Sequence, residues 1–433
     1  MSAAVWITGV GAATRLGAGV ECLDRALRQP RPAGAGGVDA AQAAAALCEA
    51  VDMAQLPARL RVNVGLFVGC TWAGLEESEL AVASHVRDED PDDEAWSRHG
   101  SDHLLARLVR SSGLGGVSLV VSAAGGGSAE ALDLGARWLA TSACPAVAVG
   151  GVQLATRVGE RCFAERVGVD PDGCRPLSPE RRGTTLAPGA GFLVLERAEA
   201  AARRGARPLA VLQAVHAQAG PNALVRVLEE AQAAAPDLWL CHASGGVKED
   251  AEEAAALRAV LGEPVAGLAA SKALLGHTQG AAAALDAVIA TLALRGGFFP
   301  CLEPGAELQT VSAERLVPRS ATLLCRNLLD RAWAVHLGRA PAPDAGAEDD
   351  ASLAGSAPLP LREPPEPERE PEPRRQPERE PAPERNPRSP GDASDTVDPH
   401  GSADDGSSEE LPNPFASDYA PVEPPPVDPE EEA

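Results

Sequence analysis

Lys272 and His277 stand five residues apart in SKALLGHTQG, at the mouth of the apolar run AAAALDAVIATLALRGG. An imidazole exchanges protons near neutral pH, and a nearby ammonium favours its uncharged form. Placing both groups beside a buried helix is costly unless they have partners. The chain has only two lysines, Lys248 and Lys272, its other strong bases being arginines, and this composition points to a need for an ammonium at 272 in particular. His242 closes the apolar segment DLWLC, and Asp250 and Glu253 open the helix-like run that follows, where negative charge is favourable at a helix N-terminus. A third stretch, Ser122 to Gly127 (SAAGGG), lies between VSLVV and the helix-like SAEALDLGARWL. A strand, sharp turn and helix present the turn residue to free N–H groups, which favour a developing anion; in nucleophilic enzymes that turn carries Ser or Cys.

The segments that carry these residues repeat one plan. Val117–Val121, the SAAGGG turn and the helix Ser128–Leu139 form one unit; the strand end before Lys272, its turn and the Ala-rich helix form another. Each helix is apolar nearly all round and should be buried on all sides. Strand–helix alternation with two such units predicts an α/β fold of two related halves, with the central helices between sheets. Elsewhere, VWITGVGAATRLGAG reads as a strand and glycine turn, its third glycine misplaced for a dinucleotide fingerprint. Residues 62–74 read as a buried strand ending in a loop, and residues 101–113 as a helix.

Composition divides the 433 residues before any motif does. More than half of the prolines and about three-quarters of the net charge of −24 fall beyond residue 340. Such a segment cannot bury enough apolar surface to order itself, so residues 1–340 are expected to form the folded domain and 341–433 a disordered acidic tail. Within the tail, Asn413 to Tyr419 (NPFASDY) is a candidate docking peptide or scaffold segment. The acidic balance argues against nucleic-acid binding. Nine scattered cysteines without a CxxC pair fit free thiols in a reducing cytoplasm and give no metal or cofactor site. The start lacks a basic, apolar export signal, and no apolar run reaches transmembrane length.

These residues together resemble the β-ketoacyl synthases, condensing enzymes of the thiolase fold. Trp6 to Gly11 is similar to the family's ITGxG start. Arg175, Pro176, Arg181, Gly183, Gly189 to Gly191 and Leu195-Glu196 follow RPFDxxRxG…GEGAGxxxLE. His242, Asp250 and Glu253 fall at the spacing of HGTGTxxxDxxE, and Lys272, Gly276 and His277 at that of KxxxGHxxGAAG. The resemblance implies a thiolase-like α/β/α/β/α layering of two halves, partnership with an acyl carrier protein or an acyl or malonyl thioester, and dimerisation with itself or with an active ketosynthase. It also places catalytic roles at 124, 242, 272 and 277. The departures are as informative. Ala124 stands where the family has its nucleophilic cysteine, Pro188 replaces the GEGAG glutamate, and Arg326 to Arg331 replaces the closing glycine loop. Segments before the turn and before His242 are shorter than the family's.

Alanine cannot become a thiolate, so acyl transfer through position 124 is excluded. Cys144, in SACP, echoes the missing motif but lies beyond the helix, and Cys70 and Cys241 read as small buried thiols. The resemblance therefore implies a non-condensing partner, akin to a chain length factor, in fatty-acid or polyketide assembly. Two alternatives stand beside it: a malonyl-thioester decarboxylase using His242 and His277, with Lys272 holding them neutral, and a scaffold acting through the tail.

Overall fold

The computed structural model describes residues 4–29, 36–87, 98–141, 144–300, 302, 304–311 and 317–341. Chain contacts divide it into residues 1–352 and 353–433. The expected tail, with Asn413 to Tyr419, lies outside the described residues apart from Pro341.

Ten strands carry the fold. In the first half β1 is Val5–Thr14, β2 Gly65–Gly69, β3 Ser118–Val121, β4 Ala146–Gln153 and β5 Gly189–Arg197. In the second, β6 is Ala210–Ala219, β7 Leu238–Leu240, β8 Leu268–Ala269, β9 Ser320–Arg326 and β10 Arg331–Arg339. The spatial order is β3-β2-β4-β5-β1 in one half and β8-β7-β9-β10-β6 in the other, the same order shifted by five strands. In each half the first three strands are mutually parallel, and the last two run antiparallel to their neighbours. The halves join where β1 meets β6, at Val5–Leu212, Trp6–Val211 and Ile7–Ala210.

Eight of the helices among the described residues build the layers: α1 Ala40–Met53, α2 Leu75–Val86, α3 Ser101–Ser112, α4 Gly127–Thr141, α5 Arg157–Val167, α6 Ala223–Gln232, α7 Val247–Leu261 and α8 Ala282–Gly296. The two expected central helices are α4 and α8. Each contacts strands of both halves: α4 meets β4 and β2 as well as β6 and β10, and α8 meets β5 and β1 as well as β9 and β10. Helices α1 and α3 cover the outside of the first half, and α6 and α7 that of the second, giving separate outer cores around Leu47 and Leu228 and a central one around Val288. The fold is the expected thiolase-like arrangement of helix, sheet, helix, sheet, helix.

Small residues set how closely the middle layer packs. A Cβ on Gly151 would come within 2.5 Å of the Gly280 carbonyl oxygen, 2.7 Å of Ala281 Cα and 2.8 Å of Ser128 Cβ. The entrances to both central helices therefore converge on one glycine of β4. Ser128 Oγ accepts from Ala284 N at 3.1 Å and links the two helices directly. Boundaries differ from the sequence expectations in two places. Within residues 62–74, expected as a strand ending in a loop, the strand is only the five residues of β2, because the short helix Ala58–Arg61 ends just before it. The turn expected to carry both Lys272 and His277 is a short helix, Lys272–Leu275, followed by an extended segment pinned to the neighbouring loop.

Candidate active site

Strand β3 ends at Val121 and α4 begins at Gly127, leaving residues 122–126 to make the turn. Ala124 sits in it with φ +44°, a left-handed conformation that strains any residue with a Cβ. The turn is closed by Gly126 N donating to Ala123 O at 2.8 Å. A Cβ on Gly126 would lie 2.4 Å from the Trp333 ring, so the indole of β10 packs tightly against the turn. Ala124 lines a cavity of about 20 Å³ together with Phe163, His242, Glu249, His277 and Asn327. The structure thus brings 124, 242 and 277 to one small space, while Lys272 lies outside its lining.

His242 follows β7, and its Nδ1 accepts from Arg326 N at 3.4 Å. His277 is held by its backbone, with N donating to Thr185 O at 2.7 Å and O accepting from Ala187 N at 3.2 Å; its Nδ1 accepts from Gln279 N at 3.3 Å. A neutral imidazole that accepts at Nδ1 carries its proton on Nε2. Burial pushes His277 down to about 3, with the Lys272 charge adding to the effect. Burial likewise drives His242 well below its ordinary value, helped by Lys272, His277 and Arg326. Both rings are therefore neutral at pH 7, and each has one N–H donor on Nε2. They meet edge to face, centroids 5.4 Å apart at 88°, and Phe163 packs on His277 at 5.5 Å.

Glu253 and Asp250 hold the backbone that carries His242. Glu253 accepts from His242 N at 2.8 Å and from Ala243 N at 2.7 Å. Asp250 accepts from Leu177 N at 2.7 Å and from Gly245 N at 3.0 Å. Burial, with Asp250 close by, pushes Glu253 up to about 7, and burial also raises Asp250.

Neither carboxylate is the ion-pair partner of Lys272. Its Nζ lies 3.7 Å from Asp286 Oδ2, within ion-pair range but too far for a hydrogen bond, and Asp286 also accepts from Ser271 Oγ. Burial raises Asp286, with Lys272 pulling against it. Asp286 is therefore a site residue absent from the sequence expectations. Its signal was available: it is the one charged residue in AAAALDAVIATLAL. The loop that replaces the closing glycine loop was also undervalued. Asn327 donates from Nδ2 to Ala123 O at 3.0 Å and accepts at Oδ1 from Leu329 N and Arg331 N, both at 2.9 Å, tying the β9–β10 hairpin to the nucleophile turn. The Arg326 guanidinium reaches Glu252 Oε2 at 2.8 Å and Glu249 O at 3.3 Å.

Pro188, where the family has glutamate, lies on the far side of His277 with Trp72 and Gln279. In the HGTGT motif the two threonines are Ser244 and Gly246 here. Cys144 hydrogen-bonds Asn63 O and Ala146 O, and precedes β4 at the opposite end of the parallel strands from the turn that follows β3. Cys70 and Cys241 are buried thiols; burial pushes Cys70 up to about 12 and Cys241 well above its ordinary value. Among the described residues there is no group of three or more His, Cys, Asp and Glu placed to hold a metal ion, and no helix long and apolar enough to cross a membrane.

Comparison with known proteins places this geometry. The chain is similar to the spectinabilin polyketide synthase system protein NorA of Streptomyces orinoci, with 33% identity over 279 residues; the match covers 58% of this chain but only 14% of NorA. Among solved structures, the ishigamide ketosynthase/chain length factor superposes with a TM-score of 0.70 at 23% identity, covering 78% of this chain and 99% of that one. A type II polyketide synthase ketosynthase in complex with its acyl-carrier protein superposes with a TM-score of 0.65 at 16% identity, covering 78% of this chain and all of that one. The family models for the β-ketoacyl synthase N-terminal and C-terminal domains match residues 4–201 and 197–303. Those matches span the turn at Ala124, both imidazoles and Lys272, and the chain belongs to the β-ketoacyl synthase family.

Proposed function

We propose that this chain is a non-condensing member of the family that works as a chain-length-factor-like partner of a cysteine-bearing ketosynthase in polyketide or fatty-acid assembly. The observation that carries the reading is Ala124. A methyl group occupies the strained turn beside His242 and His277, so the scaffold of the acyl-enzyme is present without the atom that would form it. Size supports the same reading. A cavity of about 20 Å³ holds little more than one water, far short of the roughly 300–1,000 Å³ of ordinary ligand pockets. Acyl-carrier protein is the proposed carrier and a ketosynthase the proposed dimer partner, in line with the structural neighbours. Residues 1–340 are the proposed domain, with 341–433 as its tail.

The two neutral imidazoles favour one second reading. A pair of Nε2–H donors is what an enolate oxygen needs in malonyl decarboxylation, with His242 and His277 as donors kept uncharged by burial and by Lys272. One experiment separates the two. The full chain is incubated with malonyl- and acyl-carrier protein labelled in the acyl group, and run on a sizing column with a cysteine-bearing ketosynthase. The partner reading expects no label on the protein, no carbon dioxide, and co-elution. Carbon dioxide release that is lost in His277→Ala overturns it in favour of decarboxylation. Covalent label on any cysteine overturns both.

A further inference from the structure

We propose that α2 packs against α2 of a second copy of this chain, antiparallel and across a twofold axis. The inference goes beyond the partner reading and does not rest on it. Helix α2 has 12 residues, a length at which an isolated helix is marginal in water and depends on tertiary packing. Yet Ala81 is the one residue of α2 that is buried, and the helix leans on α5. Its outward side is apolar. Leu80 is 63% exposed and Val86 76%, and across from them Val158 of α5 is 50% exposed. All three line one open groove of about 800 Å³. Contiguous exposed apolar surface of this kind marks an interaction site.

The residues along the groove select the occupant. Glu76, Leu80, Ala83 and Arg87 all line it, at the alternating spacing of four and three that makes the seam of a two-stranded coiled coil. The seam carries an acid at one end and a base at the other, with a large and a small apolar residue between them. An antiparallel copy sets Glu76 opposite Arg87 of the partner subunit and Leu80 opposite Ala83 of the partner subunit. A twofold axis makes each of these contacts twice. A parallel copy would set Glu76 on Glu76 of the partner subunit, so charge favours the antiparallel arrangement.

The carboxylates of α2 are not equivalent. Glu77 pairs with Arg98 at 3.5 Å, and Glu79 accepts from Arg157 N at 3.0 Å and from Val158 N at 2.7 Å. Glu76 is left without a cation among the described residues. Its Oε2 is buried with no hydrogen-bond partner among them, and burial, with Glu77 and Glu79 close by, raises its pKa. A guanidinium from a second copy supplies the missing charge. Arg87 Nε donates to Ala83 O at 3.0 Å, which keeps the arginine side chain along the seam.

The test is sedimentation equilibrium of the full chain alone over a concentration series. Wild type is expected to follow a monomer–dimer equilibrium. Leu80→Glu, at an exposed position, should raise the dissociation constant by about tenfold or more. Glu76→Arg and Arg87→Glu should each weaken the dimer by about tenfold, since each sets like charges together twice. The double variant exchanges the two charges and should return to within about threefold of wild type. Thermal melts check folding; if Glu76→Arg does not fold, Leu80→Glu and Arg87→Glu carry the test. A chain that stays monomeric at every concentration overturns the proposal, and so does a dimer indifferent to Leu80→Glu. A double variant no tighter than the single ones overturns the antiparallel register. No ketosynthase is present in these runs, so their failure leaves the partner reading standing. A monomeric wild type whose co-elution with a cysteine-bearing ketosynthase is lost in Leu80→Glu assigns the groove to that partner, against this inference.

Discussion

Replacing His277 by asparagine isolates the electrostatics of the site. The ring is 4% exposed, and its folded pKa is about 3 against an ordinary 6.5. As pH falls below 6.5 the unfolded chain takes up a proton at this position that the folded chain refuses until about 3. The unfolded state therefore binds more protons across that window. The stability contributed by the neutral buried ring is complete above pH 6.5 and is lost as pH falls toward 3. A difference of 3.5 pH units (6.5 − 3) at about 1.4 kcal/mol per unit corresponds to about 5 kcal/mol over the whole window, and about 2.7 kcal/mol between pH 6.5 and 4.5. Glu253 and Asp250, raised by burial, act in the opposite direction over part of this range. They are present in both proteins and cancel to first order in the difference between wild type and His277→Asn. Asparagine offers an acceptor for Gln279 N but leaves a gap beside Phe163, which gives a pH-independent offset. Urea unfolding at pH 7.0, 5.5 and 4.5 should show the stability gap between the two proteins narrowing by about 2–3 kcal/mol. A gap that stays constant with pH would refute the claim that His277 is buried uncharged.

Ala124→Gly removes the Cβ held at a φ of +44° in the turn and should be neutral or stabilise the fold by up to about 1 kcal/mol, where alanine to glycine in an unstrained loop destabilises; chemical denaturation reads the sign. Gly151→Ala drives a methyl into Gly280 O, Ala281 Cα and Ser128 Cβ and should cost about 3 kcal/mol or abolish folding, since overpacking where only backbone can yield is the expensive kind; a midpoint unchanged from wild type would contradict the convergence of the two helix entrances. Asn327→Ala removes the bond to Ala123 O and the acceptor of Leu329 N and Arg331 N. Hydrogen exchange should quicken together at the hairpin and at residues 122–126 by about tenfold or more, equivalent to the loss of one or two net hydrogen bonds; quickening of the hairpin alone would show that the two are not coupled.

Much of this architecture was legible because its signals are local. Two units of strand, small-residue turn and apolar helix were enough to predict two related halves, and α4 and α8 are those helices. His242 and His277 could be grouped through the resemblance of their surroundings to two motifs of one family, although 35 residues separate them (277 − 242). What could not be read depends on pairs distant in sequence. The contact between Asn327 and Ala123 spans 204 residues and has no pattern of its own. Asp286 is a lone charge in an apolar run, and its pairing with Lys272 depends on the geometry of a short helix, Lys272–Leu275, that no periodicity indicates. Asp250 and Glu253 were found, but only Asp250 lies in the first turn of α7, where the helix N-terminus favours negative charge; Glu253 falls in the second turn, contrary to the expectation that both open the helix. Their oxygens serve the backbone of His242, Ala243, Gly245 and Leu177.

That last point separates what folding requires from what chemistry requires. Deleting Glu253 would leave two buried N–H donors without acceptors, a cost of about 1–3 kcal/mol each whether or not anything reacts nearby. Asp250 is in the same position through Leu177 and Gly245. The strained turn is held from outside by Asn327 and by the Trp333 ring beneath Gly126, so the absence of a thiol changes one Cβ substituent and nothing that supports it. The imidazoles are different. Accepting one backbone N–H at Nδ1 is within the reach of an asparagine, and burying two rings whose pKa values are driven down by desolvation costs stability at any pH where the unfolded rings would be charged. Folding alone therefore accounts for Glu253 and Asp250 but not for His242 and His277. A pair of neutral imidazoles lining one small cavity beside Ala124 is the feature that any account of this protein, as partner or as enzyme, has to explain.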